Sequence, residues 1–290
     1  MIAHPPLLLG IDGGGTSCRA RLCSSDGRVL GEGHAGPANI RLGLDRAFSE
    51  VLAAATKALA LAGLDQTALG RTHAGLGLAG ANLDFAFEEA EAYPLPFASA
   101  TLATDTEIAR LGAHRGGDGG VVIVGTGSCA EGRMGDRSLR LGGWGFALGD
   151  QGCGAAIGRA ALRHGLLVHD GMAAPSTLGR AVLKDFAGDP NGMVRWAETA
   201  RPMDYAGFAP LVLSHAERDD PAAVEIVRNA ARGADRLVLG LAAADIRPIV
   251  LLGGVASGLR PWLADEASAQ LVEPKGTALD GAILLAQRHP

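Results

Sequence analysis

Short apolar runs alternate along this chain with longer segments in which apolar residues recur at helical spacing. The runs are rich in Val, Leu and Ile and end at glycine-rich turns, which is typical of buried strands. Predicted strands cover residues 7–11, 17–23, 28–34, 72–78, 100–104, 121–124, 129–134, 138–141 and 249–252. Predicted helices cover residues 42–62, 83–92, 153–168, 176–186, 193–200, 205–218, 222–244 and 278–287, and another begins just after Asp105. Strands interleaved with helices indicate an α/β protein.

Two segments, one in each half of the chain, share a strand–turn–strand pattern. The first, LLLGIDGGGTSC, starts at Leu7, and the second, VVIVGTGSC, starts at Val121. In both, an apolar strand enters a turn of glycine and hydroxyl residues, and the next strand carries Ser-Cys. Such a turn lets backbone N–H groups and hydroxyls face an anion without Cβ atoms in the way. The matched pattern predicts two duplicated lobes that hold a phosphate chain.

Composition restricts the class of protein. The chain has 290 residues, of which 48% are apolar and 20% charged, which suits a globular protein with two domains. The net charge of −5 and the lack of a long basic run argue against a nucleic-acid partner. No apolar run is long enough to cross a membrane, and the first residues lack the positive region of a signal peptide. We therefore expect a cytoplasmic protein without a membrane partner.

The cysteines form no recognisable metal or redox motif. Cys18, Cys23, Cys129 and Cys153 contain no CxxC pair, and none lies at zinc-finger spacing from a histidine. Four reduced thiols in a cytosolic enzyme are the simpler interpretation.

Seven motifs, taken together and in this order, resemble a known family. They are GIDGGGTSCRA, GPANIRLG, GLGLAGA, ATDTEIARLGAH, VGTGSC, GGWGFALGDQG and LLGGVASG. They resemble the superfamily of sugar kinases, heat-shock chaperones and actin, and more closely the BadF/BadG/BcrA/BcrD ATPase family with its N-acetylglucosamine and glucosamine kinases.

The resemblance implies an α/β fold of two duplicated actin-like ATPase (ribonuclease H-like) domains, with ATP and sugar in a cleft between them. The first lobe would contain residues 1–104 and regain the C-terminal helix, 277–290, and the second would contain residues 105–276. The resemblance also implies that the protein uses Mg²⁺ and forms a homodimer.

Nucleotide-binding residues follow from the two turns and from a third glycine pair. Asp12 ends a buried strand, where its carboxylate can hold a Mg²⁺-bound water near the β- and γ-phosphates, or can simply cap the turn. The proposed contacts to phosphate and adenosine are Gly13, Gly14, Gly15, Thr16, Gly125, Thr126, Gly127, Ser128, Gly253 and Gly254. The alternative for residues 125–128 is a plain hairpin turn, and for the last pair it is a strand-to-helix turn.

Asp105 is the candidate catalytic base. It follows a short apolar strand and opens a helix, whose N-terminus would keep a carboxylate ionised. An ionised carboxylate can take the proton from a sugar hydroxyl as that hydroxyl attacks phosphorus. The position matches the base of the family, and the alternative is an ordinary helix N-cap.

The sugar-binding candidates are Asn39, Gly143, Trp144 and Asp150, which match sugar-pocket positions of the family. An amide and a carboxylate suit a polyol, glycine permits close backbone approach, and tryptophan offers an apolar face. The alternatives are a turn residue for Asn39, core packing for Trp144 and a helix cap for Asp150. Where some relatives carry serine, this chain has Ala79, which removes a side-chain hydrogen bond.

The resemblance therefore implies an ATP-dependent kinase that phosphorylates the 6-hydroxyl of N-acetylglucosamine or glucosamine. One alternative is an activator-type ATPase that holds an iron–sulfur cluster between subunits, for which Cys153 is the candidate ligand. The other is a non-catalytic, nucleotide-dependent sensor on the same fold.

Overall fold

The computed structural model describes residues 5–82 and 84–288, which form two compact units. The first unit contains Met1–Gly119 and Glu273–Pro290, and the second contains Gly120–Val272. Leu83, with which a predicted helix begins, lies outside the described residues, as do residues 1–4 and 289–290.

The first unit is built on a mixed sheet with the strand order β3-β2-β1-β4-β5. Its strands are β1 (Leu7–Gly13), β2 (Cys18–Ser24), β3 (Val29–Ala35), β4 (Thr72–Leu78) and β5 (Ser99–Thr104). The first three strands form an antiparallel meander, whereas β4 runs parallel to both β1 and β5. The carboxyl ends of β1, β4 and β5 therefore lie at one edge of the sheet.

Helices cover this sheet and bury an apolar core. They are α1 (Leu44–Leu61), α2 (Asp84–Glu91), α3 (Asp105–Ala113) and α12 (Ala278–Gln287). The core combines Phe48 and Val51 of α1 with strand residues such as Ile11 and Leu76. Helices α3 and α12 approach closely because Gly281 has no side chain; a Cβ there would lie 1.8 Å from the carbonyl oxygen of Ile108.

The second unit contains a smaller mixed sheet with the strand order β8-β7-β6-β9. Its strands are β6 (Gly119–Val124), β7 (Ser128–Met134), β8 (Arg137–Gly142) and β9 (Ile249–Leu252). Strands β7 and β8 are antiparallel, and β6 and β9 are parallel, so that β6 and β9 also end at one edge.

Most of the second unit is helical. Its helices are α4 (Gly154–His169), α5 (Thr177–Asp185), α6 (Pro190–Thr199), α7 (Pro202–Ala206), α8 (Ala209–Ala216), α9 (Pro221–Ala243), α10 (Ala256–Leu259) and α11 (Asp265–Ser268). Buried side chains of α4, α5 and α9, including Ile157, Leu178 and Leu241, pack with Val122 and Val124 of β6.

Each predicted strand has a counterpart in the structure, but one predicted helix is wrong. Residues 205–218 form no single helix, because α7 ends at Ala206 and α8 begins at Ala209. Pro210 has no N–H with which to bond the carbonyl of Ala206, so the first helix cannot continue through it. Among the described residues, no helix is both long and apolar enough to span a membrane.

The boundary between the two compact units differs from the predicted lobe boundary. The sequence predicted that the first lobe ends at Thr104, whereas α3 lies in the first unit together with α12, against which it packs. The chain enters the second unit at Gly120.

Candidate functional site

The edge at which β1, β4 and β5 end brings two acidic residues into one neighbourhood. The strand register pairs Gly13 with Leu78 and Leu78 with Thr104, so the three strand ends lie in a row. The backbone N–H of Ala79 donates to the carbonyl of Gly13 at 2.8 Å and links two of these ends directly. Asp12 and Asp105 therefore lie at the same edge of the sheet.

The turn after Asp12 is open where the sequence predicts phosphate contacts. The N–H of Gly14 closes the turn by donating to the carbonyl of Ser17 at 2.9 Å, and Gly15 and Thr16 are exposed. A Cβ on Gly15 would touch nothing within 4 Å, whereas one on Gly13 would lie 2.5 Å from Cδ2 of Leu78. The glycine at position 13 is thus explained by packing, and the glycine at position 15 leaves open space.

Asp12 has a basic partner that the sequence analysis did not identify. Its half-buried carboxylate forms an ion pair with Arg19, which lies directly opposite it on β2. The signal was present in the sequence, since the two residues flank a hairpin turn symmetrically and must face each other once β1 and β2 pair. The Cys18 thiol lies close to this ion pair. Burial, with the negative charges of Asp12 and Glu50, raises the pKa of this thiol to about 12.

Asp105 is the first residue of α3 and not its N-cap. The cap is Thr104, whose hydroxyl accepts a hydrogen bond from the N–H of Glu107 at 3.0 Å. The predicted start just after Asp105, and the alternative that Asp105 is the cap, are therefore wrong. Threonine and aspartate are both good caps, so the sequence alone does not separate them.

The environment of Asp105 disfavours its charge. Burial raises the pKa of its carboxyl, and the negative charge of Asp12 raises it further, while hydrogen bonds from Thr106 partly oppose the shift. Desolvation and the neighbouring acid therefore oppose the helix N-terminus, which the sequence predicted would keep this carboxylate ionised. A raised pKa makes this carboxylate a stronger base.

Asn39 is held at the same edge by backbone hydrogen bonds on both sides. The N–H of Ala38 donates to the carbonyl of Gly14 at 3.0 Å, and that of Ile40 donates to the carbonyl of Ala79 at 3.1 Å. Its Oδ1 accepts from the N–H of Arg41 at 2.9 Å, which confirms a turn-capping role. In the described part of the chain its side-chain NH₂ has no partner, so that group remains able to bind a ligand.

The second glycine-hydroxyl turn is tied to the start of α4. The N–H of Gly125 donates to the carbonyl of Gly127 at 2.9 Å, and the N–H of Gly154 donates to the carbonyl of Gly125 at 2.7 Å. The half-buried Thr126 accepts from Ala155 at 3.3 Å through its carbonyl. Ser128 is buried and its hydroxyl donates to the carbonyl of Gln151 at 2.9 Å, so it stabilises the turn from inside.

Asp150 packs directly against this second turn. A Cβ on Gly127 would lie 2.7 Å from Oδ2 of Asp150, so the glycine makes room for the carboxylate. Oδ1 is buried without a hydrogen-bond partner in the described residues, and burial raises the pKa of the carboxyl. The helix-cap alternative is wrong, because the N-cap of α4 is Cys153. A buried acceptor without a partner is costly, and a ligand hydroxyl would satisfy it.

The loop between β8 and α4 carries the other sugar-binding candidates. Trp144 is 73% exposed, so the core-packing alternative is wrong. Gly143 has φ 73°, a conformation that favours glycine. Next to Trp144, Phe146 lies against the guanidinium of Arg159, whose central carbon is 4.4 Å from the ring centroid.

The glycine pair after β9 combines one packed and one open position. Gly253 has φ 109°, and a Cβ there would lie 2.3 Å from the carbonyl oxygen of Val124. The N–H of Val255 donates to the same carbonyl at 3.1 Å, which joins this turn to the end of β6. A Cβ on Gly254 would touch nothing within 4 Å.

Comparison with known proteins identifies the family. The sequence model of the BadF/BadG/BcrA/BcrD ATPase family matches residues 9–286. The chain belongs to this family. The resemblance that the seven motifs indicated is thereby confirmed.

Two relatives of this BadF/BadG-family protein are similar over nearly their whole length. The glucosamine kinase of Vibrio cholerae is 38% identical over 278 residues, which cover 96% of this chain and 95% of the relative. The structure of a candidate N-acetylglucosamine kinase from Chromobacterium violaceum matches with a TM-score of 0.92 and 37% identity, covering 98% of this chain and 99% of that one.

A more distant structure shows the shared fold. A ROK-family glucokinase from Streptomyces griseus, solved with glucose and AMPPNP, matches with a TM-score of 0.54 and 20% identity, covering 97% of this chain and 98% of that one. The predicted α/β fold of the actin-like ATPase and sugar kinase class is confirmed.

The residues at this strand edge would suit a magnesium ion that binds together with a nucleotide. No group of three or more His, Cys, Asp or Glu side chains that could enclose a metal occurs in residues 5–82 and 84–288. Asp12 instead offers a single half-buried carboxylate next to an open turn. Magnesium in kinases is usually held by one or two carboxylates together with substrate phosphates, and this edge provides Asp12 with Asp105 near it.

The cysteine on which the iron–sulfur alternative depended is not presented at a surface. Cys153 is fully buried, and its Sγ accepts from the N–H of Ala156 at 3.3 Å as the cap of α4. Burial raises the pKa of its thiol, which disfavours the thiolate that a metal would need.

Proposed function

We propose that the protein is an ATP-dependent amino-sugar kinase that transfers the γ-phosphoryl group of ATP to the 6-hydroxyl of glucosamine or N-acetylglucosamine. One observation carries the proposal: Asp12 and Asp105 lie at a single strand edge, beside a glycine turn whose outer residues are open. The near full-length similarity to a glucosamine kinase supports the substrate class.

In this proposal Asp105 is the catalytic base. Its carboxylate would accept the proton of the sugar hydroxyl as that oxygen attacks the γ-phosphorus. General bases work best when their pKa lies near the working pH, and burial together with Asp12 moves Asp105 in that direction.

The phosphate-binding roles divide between open and packed residues. Asp12 would hold a magnesium-bound water, and the exposed backbone of Gly15 and Thr16 would donate to phosphate oxygens, while Gly13 and Gly14 shape the turn. Bound ATP with Mg²⁺ supplies the phosphoryl group and neutralises part of its charge. The second unit would contribute the turn Gly125, Thr126, Gly127 and Ser128. Gly254 would contact adenosine, with Gly253 holding the turn in place.

The sugar-binding roles are assigned to side chains that have unused hydrogen-bond donors or acceptors. The side-chain NH₂ of Asn39 would donate to a sugar hydroxyl, and the buried Oδ1 of Asp150 would accept from one. Trp144 would offer its exposed ring to an apolar face of the sugar, and the backbone at Gly143 would approach the sugar closely.

The test is phosphorylation by the purified full-length protein. It is incubated with Mg-ATP and, separately, with glucosamine, N-acetylglucosamine, glucose and 6-deoxyglucosamine, and ADP release is followed. We expect turnover with one of the two amino sugars well above that with glucose, loss of turnover in EDTA, and none with the 6-deoxy sugar. ADP release that is independent of any sugar would overturn the proposal.

The remaining sequence-based predictions concern location and assembly. We propose a cytoplasmic homodimer that binds neither nucleic acid nor a membrane. Light scattering during size-exclusion chromatography measures the mass directly, and a mass equal to the 29.5 kDa of one chain would contradict the dimer.

A further inference from the structure

A groove on the second unit lies outside every residue assigned to the proposed reaction. It runs between α4 and α9 and has a volume of about 370 Å³. That volume falls within the range of small-molecule sites, which starts near about 300 Å³. Its floor is partly apolar, with Ala160 and Leu167 of α4 opposite Ile226 of α9.

The wall formed by α4 is cationic. Arg159 and Arg163 both line the groove, and as residues four apart on a helix they lie on one face. Within residues 5–82 and 84–288 neither arginine forms an ion pair, although Arg159 contacts the ring of Phe146. Two arginines without carboxylate partners offer the planar, multiple N–H donors that recognise a phosphate group.

The wall formed by α9 has the opposite character. Glu225 and Asn229 line it, so it presents a carboxylate and an amide to the arginines across the groove. The carboxylate of Glu225 can accept hydrogen bonds from hydroxyl groups, whereas Oδ1 of Asn229 already accepts from Arg232 and leaves the amide NH₂ of Asn229 as a donor. A ligand that matches both walls carries a phosphate at one side and hydroxyls at the other, with an apolar ring face above the alanine and leucine floor.

We propose that the groove between α4 and α9 binds a phosphorylated sugar. This inference deepens the proposed function and rests on it for the ligand's identity, since a hexosamine 6-phosphate is the product that the kinase would make. The different chemistry of the two walls favours a sugar phosphate over inorganic phosphate, because inorganic phosphate would contact only the α4 wall.

The groove is connected to the loop that carries the sugar-binding candidates. Arg159 lines the groove and also lies against Phe146, two residues after Trp144 in that loop. A phosphate would bind the N–H edge of the Arg159 guanidinium while its face stays against the ring of Phe146, so the groove and the loop share one cation.

The test is calorimetric titration of the full-length protein with glucosamine 6-phosphate, with inorganic phosphate and glucosamine as separate probes. Arg163→Gln removes a groove cation at an exposed position, and Arg46→Gln, on α1 of the first unit, is the matched control for loss of one exposed positive charge. Circular dichroism verifies that both variants are folded.

We expect the dissociation constant for glucosamine 6-phosphate to rise about tenfold or more in Arg163→Gln and to stay within about twofold of wild type in Arg46→Gln. Inorganic phosphate and glucosamine should each bind more weakly than the phosphorylated sugar. Equal affinity of Arg163→Gln and wild type, no saturable binding, or phosphate binding as tightly as the sugar phosphate would overturn the inference. Turnover of wild type with amino sugars is measured separately, so failure of the kinase proposal is distinguishable from failure of the groove.

Discussion

Asp12 and Asp105 lie at the same end of the first sheet, and the negative charge of Asp12 raises the pKa of Asp105. The two acids nevertheless have different surroundings. Asp12 forms an ion pair with Arg19, whereas Asp105 has no ion pair within the described residues and accepts hydrogen bonds from Thr106. The surroundings of Asp105 therefore suit a group that exchanges a proton.

The pH dependence of the reaction should reveal this coupling. In the proposed mechanism Asp105 must be ionised to accept a proton, so kcat/KM should rise with pH through the raised pKa of that carboxyl. Asp12→Asn removes the charge that raises this pKa, so the acidic limb of the normalised kcat/KM profile should move to lower pH even though total activity falls. The profiles of wild type and Asp12→Asn are compared from about pH 4 to pH 8. An acidic limb at the same pH in both proteins would show that the two carboxylates do not interact.

The raised pKa of Asp105 should also cost stability. A carboxyl whose folded-state pKa is raised stabilises the fold below its unfolded value, and this stabilisation is lost as the pH rises through the folded value. Asp105→Asn keeps the acceptor for Thr106 but cannot ionise, so its Tm should exceed that of wild type at neutral pH. The difference should disappear below about pH 3.5, where the wild-type carboxyl is protonated in both states.

Asp84→Asn is the matched control for the stability measurement. Asp84 is also the first residue of its helix, α2, but it is exposed. Thermal unfolding at both pH values should show no gain in Tm for this variant. A lower Tm for Asp105→Asn at neutral pH would contradict the burial argument.

The two glycines after β9 should respond differently to the same substitution. Gly253→Ala places a Cβ 2.3 Å from the carbonyl of Val124 at φ 109°, so we expect a loss of about 1–3 kcal/mol in the free energy of unfolding. Gly254→Ala has open space, so the free energy of unfolding should change by less than about 0.5 kcal/mol. Urea unfolding measures both values. Equal losses would mean that the turn does not have the described packing.

Substitutions at Gly253 and Gly254 also distinguish an effect on stability from an effect on nucleotide binding. If Gly254 approaches the adenosine, Gly254→Ala should raise the KM for ATP while Tm stays near that of wild type. An unchanged KM for ATP would remove Gly254 from the proposed contacts.

The fold could be predicted well from the sequence because its signals are local. Apolar runs, together with the turns that precede or follow them, predicted the strands of both sheets, and helical spacing predicted α1 and α9. Where local signals compete, prediction failed. Thr104 and Asp105 are both good caps, and only the structure shows that threonine takes that position. The break between α7 and α8 depends on Pro210, whose effect the apolar periodicity of residues 205–218 obscured.

The candidate site was predictable in its residue types but less so in its interactions. Burial of Asp105 and the packing of Asp150 against Gly127 arise from residues far apart in sequence, or from desolvation, which no local pattern encodes. Arg19 could have been found by pairing β1 with β2 about their turn. The exposure of Trp144 could not, because the same residue type suits both a core and a sugar site.

The most direct test of the account is the turnover of Asp105→Asn beside that of Asp84→Asn, with AMPPNP binding measured calorimetrically in both. We expect kcat of Asp105→Asn to fall about 100-fold or more, the range associated with loss of a general base, while its affinity for AMPPNP stays within a few-fold of wild type. Asp84→Asn should match wild type in both measurements. An Asp105→Asn protein that retains more than about half of the wild-type kcat would contradict the assignment of the base and with it the proposed mechanism.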